Sequence, residues 1–302
     1  MSSSVTKKQH YVWRAYLAAW VRKNKIYCLR DGGIFPSNLM GVAQERYFYR
    51  LQELNAKERE FIRQFAMQES HGALKESNVE WLQLFTKLFD LKENLQERGL
   101  MNREFEQSLK EVELQLEESL HSMVEGDSKK YLDMLLSQNT SFYEDEQAAM
   151  GFCFFFTMQY VRTPRILENM KQGITGISGI DVAKVWSVSK IIVATNMAWA
   201  MFSKRFQYKI YILQSKSSRF ITGDQPIINT YSVDFKKTPE EIEWFYPISE
   251  SLAVLISESE REKVSYVSEE EVKKYNEMMF KSSYKQMYAV EHSDLEPFLN
   301  VT

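Results

Sequence analysis

The spacing of apolar residues changes period twice along the chain and divides it into three sections. Up to about Arg50 the pattern is mixed. A short helical piece, Trp13–Val21, precedes Lys25-Ile-Tyr-Cys-Leu-Arg30, which alternates as a strand does. Asp31-Gly32-Gly33 is a turn signal, and Ile34-Phe35-Pro36 opens a second extended piece that Pro36 confines to an edge.

From about Leu51 to Phe206 the period is helical. Phe61, Ile62 and Phe65 repeat at that spacing, as do Leu82, Phe85, Leu88 and Phe89. Phe105, Leu109, Val112, Leu116, Leu120 and Met123 form a nearly heptad stripe with charges between. The two patterns meet at Arg98-Gly99-Leu100, where Gly99 suits a helix end. Residues 81–124 are therefore expected to form a projecting helical hairpin, its stripe covered by itself or by a second subunit. Ser141 and Glu144 read as a capping box opening a helix through Ala148–Arg162, apolar on nearly all faces and so central. Pro164 ends or kinks it, and Asp181–Phe202 is a second long buried helix.

The third section returns to strands. Tyr208–Gln214 and Arg219–Thr222 read as a hairpin, broken by Gly223-Asp224-Gln225-Pro226 before Ile227–Tyr231. Leu252–Ile256 is a continuous apolar run, the mark of an inner strand. Ser268 and Glu271 form a second capping box, opening a helix to about Tyr288. Two N-terminal strands cannot make a stable sheet alone, so they are expected to join the later strands. The fold class is α+β and predominantly helical. A small sheet from N- and C-terminal strands accepts a large helical insertion, 51–206, in one domain spanning 1–302.

Composition narrows the function classes. Gly (11) and Pro (6) are scarce, which fits long elements and excludes a collagen-like chain. The net charge of −3 excludes a general basic sheath for nucleic acid, though not a local basic groove. Ala148–Val161 and Ile191–Phe202 fall short of the roughly 18–20 residues of a membrane span. The first ten residues lack the apolar run of a secretory signal. Cys28 and Cys153 have neither metal nor disulfide spacing. A cytoplasmic protein with free, buried thiols and no membrane partner is expected.

Several segments resemble a known family. Lys8-Gln-His-Tyr-Val-Trp-Arg-Ala-Tyr-Leu17 is similar to the opening QHYVPRFYL of the bacterial family called domain of unknown function 4238. Gln44–Tyr49, Gln159-Tyr-Val-Arg-Thr-Pro-Arg165, Phe220–Pro226 and Tyr246–Ser249 match it further. Trp13 stands where the family has Pro, and Gly223 where Ser is common. The hairpin carries no matching motif. The resemblance implies a bacterial protein of a family sometimes associated with phage-defence gene neighbourhoods, and it supplies no mechanism.

Walker, GxGxxG, GxSxG, HExxH and zinc-type spacings are missing from the sequence. The remaining candidates are polar residues in apolar surroundings. Gln159 and Arg162 share a face of the most apolar helix, and His10 and Arg14 share another. Asp224 ends a strand. Buried charges are costly alone, so His10, Arg14, Glu45, Gln159, Arg162 and Asp224 are expected to converge on one cleft. In the first reading, a hydrolase or nuclease acts on nucleic acid or a nucleotide. His10, Glu45 and Asp224 are then catalytic, and Arg14, Gln159, Arg162 and Arg165 bind substrate. No cofactor is specified, and a divalent metal on Glu45 and Asp224 is compatible with the donor types. The alternative is a non-enzymatic interaction or sensor protein whose cluster is structural and whose hairpin binds a partner, including a second copy. Under it Arg162 pairs with Glu45 or Asp224, Asp224 makes an Asx turn, and His10 packs. His71, His121 and His292 are expected in solvent, and Tyr47, Phe48 and Tyr49 in the core.

Overall fold

A computed structural model describes residues 7–299, apart from 175, 233–238 and 240. The N-terminal section holds β1 (Lys8–His10), α1 (Arg14–Leu17), β2 (Ile26–Arg30), β3 (Gly33–Ser37) and β4 (Gln44–Arg46). The helical block holds α2 (Ala56–Ala66), α3 (Gly72–Glu97), α4 (Arg103–Leu136), α5 (Glu146–Val161), α6 (Pro164–Gly173) and α7 (Val182–Ser203). The last section holds β5 (Lys209–Gln214), β6 (Thr222–Gly223), β7 (Ile228–Asn229), β8 (Trp244–Pro247), β9 (Leu252–Ser257), β10 (Val264–Tyr266), α8 (Glu269–Ser282) and β11 (Met287–Ala289). The fold is α+β.

The strands divide into three sheets, where one was expected. β1 and β4 form a two-stranded ribbon. β10-β5-β9-β8-β7 form one sheet and β3-β2-β11-β6 another. The division falls at Asp224-Gln225-Pro226: β6 before it joins the N-terminal strands, and β7 after it joins the C-terminal ones. The expected hairpin of 208–214 with 219–222 does not form, because β5 pairs with β9 and β10 instead. α8 stops at Ser282, and β11 inserts between β2 and β6. Two expectations hold: β3 with Pro36 is an edge, and β9 is interior with every residue buried.

The helical block packs around α5 and α7, which lie against each other; Thr157 donates to the carbonyl of Ala194 across them. α5 then meets the larger sheet through Phe156, whose ring stands edge-on to Trp244 and Tyr246. α7 forms within one residue of the expected Asp181–Phe202. By length and composition it could cross a membrane, and 61% of its most apolar window is buried inside the molecule. The cap of α5 is Asp145, which accepts from Ala148 N; Ser141 instead opens a 3-10 turn. The Ser268–Glu271 box forms as expected, and Asn55–Glu58 makes another. α3 and α4 form the hairpin, and Gly99 turns it with φ +66°.

Because β11 is flanked by β2 on one side and β6 on the other, the first fifty residues complete the smaller sheet. Deleting residues 1–50 is expected to abolish soluble, cooperatively folded protein, as read by expression and thermal melting. A well-folded fragment from Leu51 onward would contradict the single-domain reading.

Candidate functional site

Arg162 ends α5 as its C-cap and is 1% exposed. Burying a guanidinium without partners is prohibitive, and here each nitrogen has one. Nε donates to the carbonyl of Tyr11 (3.0 Å) and Nη2 to that of His10 (3.1 Å). Nη1 meets the carboxylate of Glu125 on α4 at 2.7 Å. The partner is thus neither Glu45 nor Asp224. Gln159, one turn earlier, is also buried, with its amide against Glu125.

Deeper in, α4 presents a polar buried face: Glu113, Glu117 and His121, each four residues from the next. Oε1 of Glu117 takes both the Lys190 ammonium of α7 and Nε2 of His121 (3.2 Å). The Tyr49 ring lies 4.4 Å from the His121 ring and 5.1 Å from the Lys190 nitrogen, and its hydroxyl donates to His10 O. Burial pushes Glu117 up to about 7, opposed by Lys190. Burial, then the charges of Arg162 and Lys190, hold His121 well below its ordinary value, so it is neutral near pH 7. His121 is 3% exposed, contrary to expectation, while His71 and His292 are exposed as expected. Tyr49 is core; Tyr47 and Phe48 are half-buried.

Toward solvent the cluster opens onto Glu118, His10 and Arg14. Burial raises the carboxyls of Glu118 and Glu125, with Arg162 opposing in both. Burial lowers His10, against the Leu39 carbonyl that its Nε2 meets at 3.0 Å. Arg14 is exposed, 2.9 Å from the Met40 sulfur, and its charge is felt by both carboxylates.

Asp224 is elsewhere. Its carboxylate accepts the backbone amides of Tyr284 (2.7 Å), Lys285 (2.7 Å) and Gln286 (3.0 Å), which fasten the β6–β7 turn to the entry of β11. These bonds replace the expected Asx turn. Burial lifts it to about 6, with the three amides opposing. Neighbouring Gln225 accepts from Thr163 and donates to Ile227 O and Tyr160 O. Arg165 donates to Lys281 O and lies within the field of Asp224. Glu45 is exposed on the ribbon, in register with Gln9. The six residues therefore do not form one cleft: His10, Arg14, Gln159 and Arg162 gather on α4, while Asp224 and Glu45 stand apart. Tyr11 links the two sets, its carbonyl on Arg162 and its hydroxyl on Gln286.

Sequence reasoning missed Glu117, Glu118, His121, Glu125 and Lys190. Their signal was present: Glu113, Glu117, His121 and Glu125 recur every four residues, and Lys190 interrupts the apolar run of α7. The heptad stripe hid it, yet Phe105, Val112 and Met123 are the exposed members. Among the described residues no three His, Cys, Asp or Glu side chains gather to hold a metal. Glu117 and Glu125 spend oxygens on Lys190 and Arg162 instead.

Arg162→Met should cost about 3–5 kcal/mol in urea unfolding by stranding Glu125, and adding Glu125→Leu should recover part of it. The folded value of Glu117, about 7, lies above its ordinary 4.5, so the unfolded chain loses this proton first. Wild-type stability relative to Glu117→Gln should therefore be greatest below pH 4.5, fall between about pH 4.5 and 7, and stay flat above.

Comparison with known proteins adds the family. No curated protein and no solved structure matches the chain. The family model described as protein of unknown function (DUF4238) matches residues 8–293, nearly the whole length. The chain belongs to the DUF4238 family.

Proposed function

We propose that this chain is a non-enzymatic interaction or sensor protein, and that its polar cluster is a structural lock. One observation carries this reading: the charges at the centre face partners inside the molecule, Arg162 against Glu125 and Lys190 against Glu117. Arg162 spends its nitrogens on Glu125 and two carbonyls, and Asp224 accepts three backbone amides. A general base must reach within hydrogen-bond distance of a substrate proton, and Asp224, fully buried on its three amides, is not placed to do so. The inner charges also balance, with Arg162 and Lys190 facing Glu117 and Glu125, so the lock exerts little net pull on a phosphate.

The hairpin supplies the contact element. Leu91, Leu100, Phe105 and Val112 are 41–54% exposed along it, more apolar surface than its solvated helices need. We take a second copy of the chain as the partner. Phe105→Ser with Leu100→Ser should shift sedimentation from dimer to monomer without lowering the melting temperature. Monomeric wild type at high micromolar concentration would remove this role.

The hydrolase or nuclease reading keeps one specific support at the rim, where His10, Arg14, Glu118 and Glu125 surround Arg162 with carboxyls raised and imidazole lowered. Such shifts accompany acid–base sites. Incubation with RNA, DNA and nucleotides separates the readings. No turnover above buffer is expected; turnover that disappears in Glu118→Gln and Arg14→Ala, with stability unchanged, would replace the lock with an active site.

A further inference from the structure

Away from the lock, one cleft combines aromatic and cationic side chains around buried polar atoms that lack partners. It encloses about 400 Å³ where three connections meet. Tyr143 comes from the α4–α5 connection, Arg205 and Phe206 from the α7–β5 connection, and Arg261 and Lys263 from the β9–β10 connection, with Tyr211 of β5 among them.

Arg205 is built into this wall. Its side chain is 10% exposed and sits between two rings, the guanidinium carbon 4.3 Å from the Phe202 centroid and 4.2 Å from that of Phe206. Nη1 donates to the Phe202 carbonyl and Nη2 meets the exposed Glu146, while Nε is buried with no partner among the described residues. The Tyr211 hydroxyl is equally buried and equally without a partner among them, on a residue 2% exposed. A buried donor without an acceptor costs on the order of 1–3 kcal/mol, and both belong to side chains that line this cleft, so an acceptor that enters it and displaces the wall slightly would satisfy them.

The rim defines that acceptor. Phe206 is 73% exposed, an aromatic residue left in water at the mouth of a cleft where Arg205, Lys209, Arg261 and Lys263 outnumber Glu144 and Glu260. Arg261 has no ion pair among the described residues. Lys263 holds Glu144 only through an exposed pair, which water screens. An aromatic plane, buried donors and exposed cations together recognise a flat base joined to a phosphate. The volume lies in the range of small-ligand sites.

We propose that this cleft binds a nucleoside monophosphate, with the base on Phe206 and phosphate oxygens accepting from Arg205 Nε and the Tyr211 hydroxyl beside Arg261 and Lys263. The site shares no residue with the lock or the hairpin, and it gives the sensor reading a ligand class. Its failure would leave the hairpin's role standing, and the reverse.

Isothermal titration of the full chain with AMP, GMP, CMP and UMP tests it, with adenosine and inorganic phosphate as separate arms. At least one monophosphate should bind with a Kd below about 1 mM, and adenosine and phosphate about tenfold more weakly or not at all. Phe206→Ala, at an exposed position, and Tyr211→Phe, which deletes one hydroxyl, should each weaken binding about fivefold or more without moving the melting temperature. No binding by any of the four at about 1 mM, affinity equal to that of phosphate alone, or affinity unchanged in both variants would overturn the proposal.

Discussion

A guanidinium taken out of water at the end of α5 sets the terms for the rest of the molecule. Its desolvation has to be offset by partners in the right plane, and no single element supplies them. β1 and the residue after it contribute two carbonyls, and α4 contributes a carboxylate from a different section of sequence. Arg162 thus fixes the N-terminal segment, the hairpin's long helix and the central helix relative to one another. Tyr11 extends the constraint: its hydroxyl takes Gln286, whose amide is one of three on Asp224. The chain of bonds runs from α4 through α5 to β11.

What the sequence made legible was local. The turn at Gly99, the edge position of Pro36, the interior run of β9 and the Ser268 cap each depend on a few neighbouring residues, and each appears as read. The partition of strands did not, because β1, β4, β6 and β7 are two or three residues long and carry no measurable period. The sheet that β6 enters is held by pairing far apart in sequence, as between Cys28 of β2 and Tyr288 of β11. α4 misled for a different reason. Its apolar heptad suggested the buried face, but Lys190 and Arg162 arrive from α7 and the end of α5, and the face that answers them carries Glu117, His121 and Glu125.

The same accounting explains why candidate chemistry was visible and wrongly located. Polar residues in apolar surroundings were correctly marked as needing partners. Which partners they take is a tertiary question, and Asp224 resolves it with backbone amides that no side-chain pattern announces. Glu45 sits on a ribbon too narrow to bury it. The charges that do gather form a balanced set, and the neutral state of His121 is part of that balance: a protonated imidazole there would add a third cation beside Lys190 and Arg162.

α7 joins this interior to the surface. Lys190 lies in its buried middle, and Arg205 and Phe206 follow directly after its last turn, with Ser203 roughly 20 Å beyond Lys190 at 1.5 Å per residue. A helix so placed has little freedom to slide. The Lys190–Glu117 pair fixes it against α4, and Thr157 fixes it against α5. The walls of the α7–β5 cleft therefore inherit their positions from the lock, and Arg205 can be held between two rings because the helix that presents it is immobilised upstream. The exposed Phe206, the cations around it and the hairpin's apolar side chains lie on surfaces that this interior holds in place.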